Sequence, residues 1–278
     1  MVGDIVARDG AAFEAQMLGV AIVIYLAATA LSVVVTASGR ARQHVTLGLV
    51  AIALTFHTIA IAYRWTRLGH GPYVDMFEIL SSNVWSLHLA ALVVFLSLPR
   101  LQPALAATLP PLAVLTIWMW LTPAKDTLHP VTYATIWLPI HVTLGKFFLG
   151  LVTPATGLGI IVIGRRALGI TLPSLPDSET LETYIYRLLL IAAVFQSLML
   201  IAGAAWAQNA WSRYWAWDPL ESWAFVTWTG SLLFLHMRPR STARPMLSAA
   251  FSLLIFGLAF YTFFGVPFIS TSPHKGAI

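Results

Sequence analysis

Long apolar runs separated by short polar connections fill the chain. They fall at 17–35, 45–63, 77–98, 104–121, 135–163, 188–206, 223–235 (extending to about His236) and 246–268. A helix needs about 20 apolar residues to cross the hydrocarbon core, because lipid offers no partner to backbone N–H and C=O groups. The pattern therefore predicts about eight transmembrane helices, not the ten-residue alternation of a membrane barrel. The third run is the most polar, carrying Ser81, Ser82, Asn83 and His88. The seventh is short unless part of the preceding aromatic stretch also enters the membrane. There is no internal repeat, and no connection is long enough for a separate soluble domain, so 1–278 reads as a single membrane domain.

Composition agrees. Of 278 residues, 58% are hydrophobic and 10% charged, against roughly 25% charged in soluble domains. The expected class is an all-α integral membrane protein in a lipid bilayer. The formal charge of +5 comes from basic residues set between apolar runs, a sign of topology and not of nucleic-acid binding. One set of connections holds Arg40, Arg42, Arg100, Arg165, Arg166, Arg187, Arg238, Arg240 and Arg244. The other holds Arg8, Arg64, Arg67, Lys125, Arg213 and Lys275, with Lys146 inside a run. The excess in the first set puts it in the cytoplasm and both termini outside. The outer connections are then 66–76, 122–134, 207–222 and the tail from 269, while 164–187 is the longest inner one. Asp4, Asp9 and Glu14 precede the first run, which reads as an anchor and not a cleaved leader. With no cysteine, any thiol chemistry belongs to a partner or substrate.

The most unusual stretch is 206–223, which holds five of the eleven tryptophans: Trp206, Trp211, Trp215, Trp217 and Trp223. If the part before Pro219 is helical, Trp211 and Trp215 lie one turn apart on one face, flanked by Tyr214 and Trp217. Such a face is a flat, polarizable platform. It suits a planar macrocycle with anionic edge groups, whose carboxylates Arg213 or loop N–H groups would meet; haem fits. The plainer alternative is an interfacial belt of aromatic residues, but a belt requires neither this density nor an embedded Asp218-Pro219-x-Glu221.

The string Trp206-Ala-x-Asn209-x-Trp211-x-x-Tyr214-Trp215-x-Trp217-Asp218-Pro219-x-Glu221-x-Trp223 resembles the tryptophan-rich WWD motif of cytochrome c assembly proteins. Its continuation to Leu235-His236-Met-Arg238 looks most like the CcsA (ResC) branch of System II. Arg64-Trp65, Gly69-His70-x-Pro72 and Met76-Phe77-Glu78 resemble that branch's first outer loop, and Trp137-Leu-Pro-Ile-His141-Val its fifth-span entrance. Val74-Asp75 and Leu220 depart from the branch pattern.

The resemblance implies a component of a cytochrome c synthase in a bacterial cytoplasmic or thylakoid-type membrane. It would move haem b and attach it to the Cys-x-x-Cys-His thiols of exported apocytochrome c, aided by a CcsB (ResB)-like membrane partner and a thiol-reducing system. It also implies that His141 and His274 are the paired external ligands of haem iron beneath the tryptophan loop. His236 is then an inner ligand whose opposite number comes from the partner. From the residues alone, His274 is as readily a solvated tail histidine, and His236 one that snorkels to the inner interface. Trp223 and His236 are thirteen residues apart, roughly 20 Å along a helix, so His236 cannot share an iron with the outer site. His57 and His88 lie inside runs, where a hydrogen-bonded bundle histidine or a haem contact are both open; His70 and Glu78 belong to the first outer loop. Asp218 and Glu221 are expected to hold backbone N–H groups at the start of the seventh span. The remaining readings are a CcmC-like exporter passing haem to a chaperone, and a HemX-like regulatory membrane protein.

Overall fold

The structure is a computed structural model; it describes residues 2–39, 43–128, 130–237 and 243–269, with side chains from Gly10 to Phe268. The described residues form helices and contain no strand. The elements are α1 (Val2–Ala37), α2 (His44–Leu68), α3 (Met76–Ser97), a 3-10 turn (Pro99–Ala104), α4 (Leu105–Leu121), a short turn (Val131–Tyr133), α5 (Trp137–Leu168), α6 (Ser178–Trp211), α7 (Pro219–Met237) and α8 (Pro245–Phe260). A π-helical turn (Tyr261–Gly265) and α9 (Val266–Ile269) continue α8. Seven stretches, all but α7, are long and apolar enough to cross a membrane. The protein is thus an all-α integral membrane protein. The segment expected as the seventh span is the nineteen-residue α7, beginning at Pro219; it is not among these seven stretches.

The chain divides into two compact units at His129. In the first, α1 packs on α2 and α4, and α3 on α2 and α4. Gly69 ends α2 in the left-handed conformation (φ +77°), its N–H meeting the Trp65 carbonyl, a geometry that costs glycine nothing. Asp75 then caps α3 by accepting from the Glu78 N–H at 2.8 Å, while Glu78 accepts from the Val74 N–H at 3.0 Å.

The charged residues at one end of this unit converge on Arg64. Its guanidinium meets Glu78 at 2.9 Å, Glu14 at 3.2 Å and Asp75 at 3.3 Å, and Arg64 donates to the Lys125 carbonyl. All four ionised side chains are buried. One residue therefore ties α1, α2, α3 and the 122–128 segment, and one cation answers three carboxylates that burial would otherwise penalise. Arg67 adds pairs with Glu14 and Asp126.

In the second unit α5 and α6 run side by side over most of their length, with α8 against both and α7 against α6 and α8. Polar pairs join the helices inside this apolar bundle. Ser248 donates to Glu182 at 2.9 Å, Ser231 to Gln196 at 2.9 Å, and the Trp228 indole N–H to Ser197 at 2.8 Å. In a membrane interior such groups have no water to turn to, so the pairs fix helix rotation.

A histidine beneath the aromatic loop

Helix α6 stops at Trp211. Ser212 takes the left-handed conformation (φ 57°), and residues 212–218 form a loop before Pro219 opens α7. Trp211 and Trp215 thus do not share a helical face: the helix that would have aligned them ends between them. The platform is replaced by three separate aromatic groups. Trp206 packs edge-on against Trp211 (4.9 Å, 61°) and Tyr133 (5.7 Å, 77°), and its indole N–H donates to the Thr132 carbonyl at 3.1 Å. Trp215 meets Trp217 (5.5 Å, 84°), which meets Phe225 (5.7 Å). Trp223 lies against Tyr261 (4.7 Å, 75°).

The two carboxylates hold this loop. Asp218 accepts from the Leu220 and Glu221 N–H groups, both at 2.9 Å, capping α7. The buried Glu221 accepts from the Ala216 N–H at 2.7 Å. These are the backbone contacts expected from the sequence. They hold Trp217 at φ 58°, a conformation rare for a bulky residue.

His141 lies on α5, one turn into the helix. Its Nδ1 is 2.8 Å from the Met199 carbonyl oxygen. A carbonyl only accepts, so Nδ1 is the donor in this bond, and in the neutral tautomer that fits it Nε2 is the acceptor nitrogen. The ring lies nearly parallel to Trp206, 6.1 Å away and inclined by 27°. His141 and Trp206 border a cavity of about 70 Å³ with Tyr214, Trp215, Glu221 and Phe263. The Trp215 indole N–H is buried and meets no acceptor among the described residues. An aromatic wall, an oriented imidazole and an unanswered N–H donor suit a flat ligand with acceptor groups at its edge. The cavity is, however, well below the ~300–1,000 Å³ of pockets that enclose drug-sized ligands.

The other sequence candidates separate. Arg213, Tyr214 and Trp217 are exposed on the loop; Pro219 at the start of α7 and Asn209 near the end of α6 are exposed too, and the Asn209 amide donates back to the Ala205 carbonyl at 2.9 Å. His236 is exposed in the last turn of α7. His274 lies outside the described residues. His57, His70, His88 and Glu78 belong to the first unit. His57 Nε2 pairs with Ser81 at 2.9 Å. His88 Nδ1 faces the Val84 carbonyl at 2.8 Å, and its ring stacks on Tyr25 at 3.9 Å. His70 places one nitrogen 3.0 Å from the Gly71 carbonyl and the other 3.0 Å from that of Thr127. Gly203 and Met199, which seat His141, were not anticipated; only a glycine inside a long helix could have signalled the first.

The described residues thus form a helical membrane bundle whose tryptophan-rich loop borders, with His141, one cavity. The family model described as "Cytochrome C assembly protein" matches residues 14–274. The chain belongs to this family, and it is of the CcsA type. "Cytochrome c biogenesis protein CcsA" of Prochlorococcus marinus (strain MIT 9515) is 28% identical over 79% of this chain and 80% of its own length. The protein of the same name from strain MIT 9303 is 30% identical over 72% and 74%, and that of Gossypium barbadense 24% over 80% and 83%. Among solved structures, "Cytochrome c Heme Lyase CcmF" matches with a TM-score of 0.72 at 16% identity, over 92% of this chain and 46% of its own. The fold is therefore shared with CcmF, of which this chain spans about half the length. The protein is a component of cytochrome c maturation.

Proposed function

We propose that the protein receives haem b as its substrate and holds it at the outer end of the second unit for attachment to exported apocytochrome c. It does so as the CcsA-like part of a cytochrome c synthase. In each thioether the cysteine S–H adds across a haem vinyl group: a carbon–sulfur bond forms, the hydrogen goes to the neighbouring carbon, and nothing is oxidised. The protein's contribution is to present the vinyl edge to the thiols, which converts a bimolecular encounter into a positioned one. A thiol-reducing system keeps the cysteines available.

The observation that carries this reading is the imidazole of His141, held beneath the loop with its Nδ1–H on the Met199 carbonyl. A carbonyl behind one nitrogen is the usual support for a histidine that ligates through the other. In this reading His141 is one axial ligand of the iron, and His274 the other. The Trp215 N–H and Arg213 meet the acidic edge, and the remaining aromatic residues of 206–223 form the face. Because the cavity is small, the loop lifts to admit the macrocycle, against the Glu221 and Asp218 contacts. His236 serves an inner site that a CcsB (ResB)-like partner completes. His57, His70, His88 and Glu78 are bound into the first unit's own polar contacts and serve its architecture. The whole chain acts as one membrane domain, its aromatic loop and both termini on the outer side of a bacterial cytoplasmic or thylakoid-type membrane.

The test is the absorption spectrum of detergent-purified protein, followed by His141→Ala and His274→Ala with and without imidazole. Loss of haem in each variant, with recovery on adding imidazole, is expected. Unchanged haem content and cytochrome c yield in both would refute the assignment.

A further inference from the structure

Gly203 sits inside the 34-residue α6. Glycine is the least favourable residue after proline in a helix interior, and Gly203 is not among the glycines with positive φ. The helix itself therefore has no need of it. The reason lies across the α5–α6 contact. A Cβ placed on Gly203 would stand 2.8 Å from His141 Nδ1 and 2.9 Å from its Cε1, closer than carbon atoms approach. Met199, Gly203 and Trp206 are spaced four and three residues apart, on one face of α6. That face offers the imidazole a carbonyl oxygen at 2.8 Å, a missing side chain, and a near-parallel ring.

We infer that Gly203 is a positioning residue for His141: its absent side chain lets the ring lie against the α6 backbone, where the Met199 carbonyl fixes the tautomer and the direction of Nε2. Any side chain at 203 displaces the ring from the carbonyl, because ring atoms and not a flexible chain end stand in the way. The inference rests on the reading of His141 as an iron ligand and adds the residue that sets its geometry.

The experiment compares Gly203→Ala with Gly257→Ala, a helical glycine whose Cβ would meet nothing within 4 Å, and with His141→Ala. Supporting partners of ligating histidines change metal affinity by about ten- to a hundredfold. Gly203→Ala is accordingly expected to weaken haem retention by about tenfold and to shift the low-spin signals in the electron paramagnetic resonance spectrum of the ferric form. Gly257→Ala should match the wild type. In a His141→Gly background no ring remains to be met, so adding Gly203→Ala should have no further effect, and imidazole should restore haem equally with or without that second substitution. The same background also covers the case in which Gly203→Ala alone fails to accumulate. An altered His141→Ala spectrum with a wild-type Gly203→Ala spectrum overturns the role of Gly203 alone. Equal loss from Gly203→Ala with or without the ring does the same. An unchanged His141→Ala spectrum overturns the ligand reading and this inference with it.

Discussion

Replacing Glu221 by alanine should open the aromatic loop without unfolding the protein. Glu221 is 8% exposed and accepts from the Ala216 N–H at 2.7 Å. A hydrogen bond to a charged acceptor contributes about 1.5–3 kcal/mol net. It acts against the backbone of Trp217 at φ 58°, where the left-handed conformation costs an L residue roughly 1–2 kcal/mol. Without the carboxylate, the Asp218 cap on the Leu220 and Glu221 N–H groups remains, and on Trp217 itself the Ser222 hydroxyl bond to its carbonyl at 3.1 Å is the side-chain hold that is left. A neutral bond of that kind contributes about 0.5–1.5 kcal/mol, so strain and restraint come close to balance. Open-loop population should then rise about ten- to a hundredfold, at 1.4 kcal/mol per factor of ten. Arg213 is exposed on this loop, so tryptic cleavage after it in detergent reports the opening, provided reclosing outpaces cleavage. Glu221→Gln keeps an acceptor without the charge and should fall between. Wild-type cleavage of Glu221→Ala would refute the argument, as would a rise matched by an equal rise at every other tryptic site.

Three further outcomes follow from the first unit. Arg64→Leu leaves Glu14, Asp75 and Glu78 buried without their common cation and should cost about 3–5 kcal/mol, read as a lower midpoint in thermal unfolding of the detergent-solubilised protein; a midpoint within error of wild type would contradict the buried network. The Arg67 hydrogen bond holds the Asp126 carboxyl below its ordinary range. Because the folded form binds its proton less readily, the pair's contribution is present above the unfolded value near pH 4 and is lost as pH falls through the depressed one. Proteolytic protection of the 122–128 segment in wild type over Asp126→Asn should accordingly stay constant from pH 7 to about 4 and vanish at lower pH; a difference that fades between pH 7 and 5 would disprove it. His57→Leu removes the partner of Ser81, which should cost about 1–3 kcal/mol while leaving the haem spectrum unchanged. A changed spectrum would make His57 part of the haem site.

The apolar runs alone dictate helices across a bilayer, because lipid leaves the backbone no other way to satisfy itself. The same sequence marked residues 206–223 as a loop of special chemistry, since so many tryptophans around Asp218-Pro219-x-Glu221 exceed what an interface needs. Asp218 and Glu221 were legible for a local reason: caps depend on residues within one turn. The helical alignment of Trp211 with Trp215 was not, because where α6 ends depends on Ser212 turning left-handed and on contacts that Glu221 makes across the loop. Nor could spacing reveal that Arg64 gathers three carboxylates from α1 and the start of α3. The seat of His141 lay equally out of reach, for it is built by a carbonyl and a missing side chain some sixty residues away, and linear order carries no record of which backbone atoms a packed helix turns toward its neighbour. Composition and period thus decided what the chain is made of and where it resides. Packing decided which imidazole points beneath the aromatic roof, since that direction belongs to the contact between α5 and α6 and to neither helix by itself.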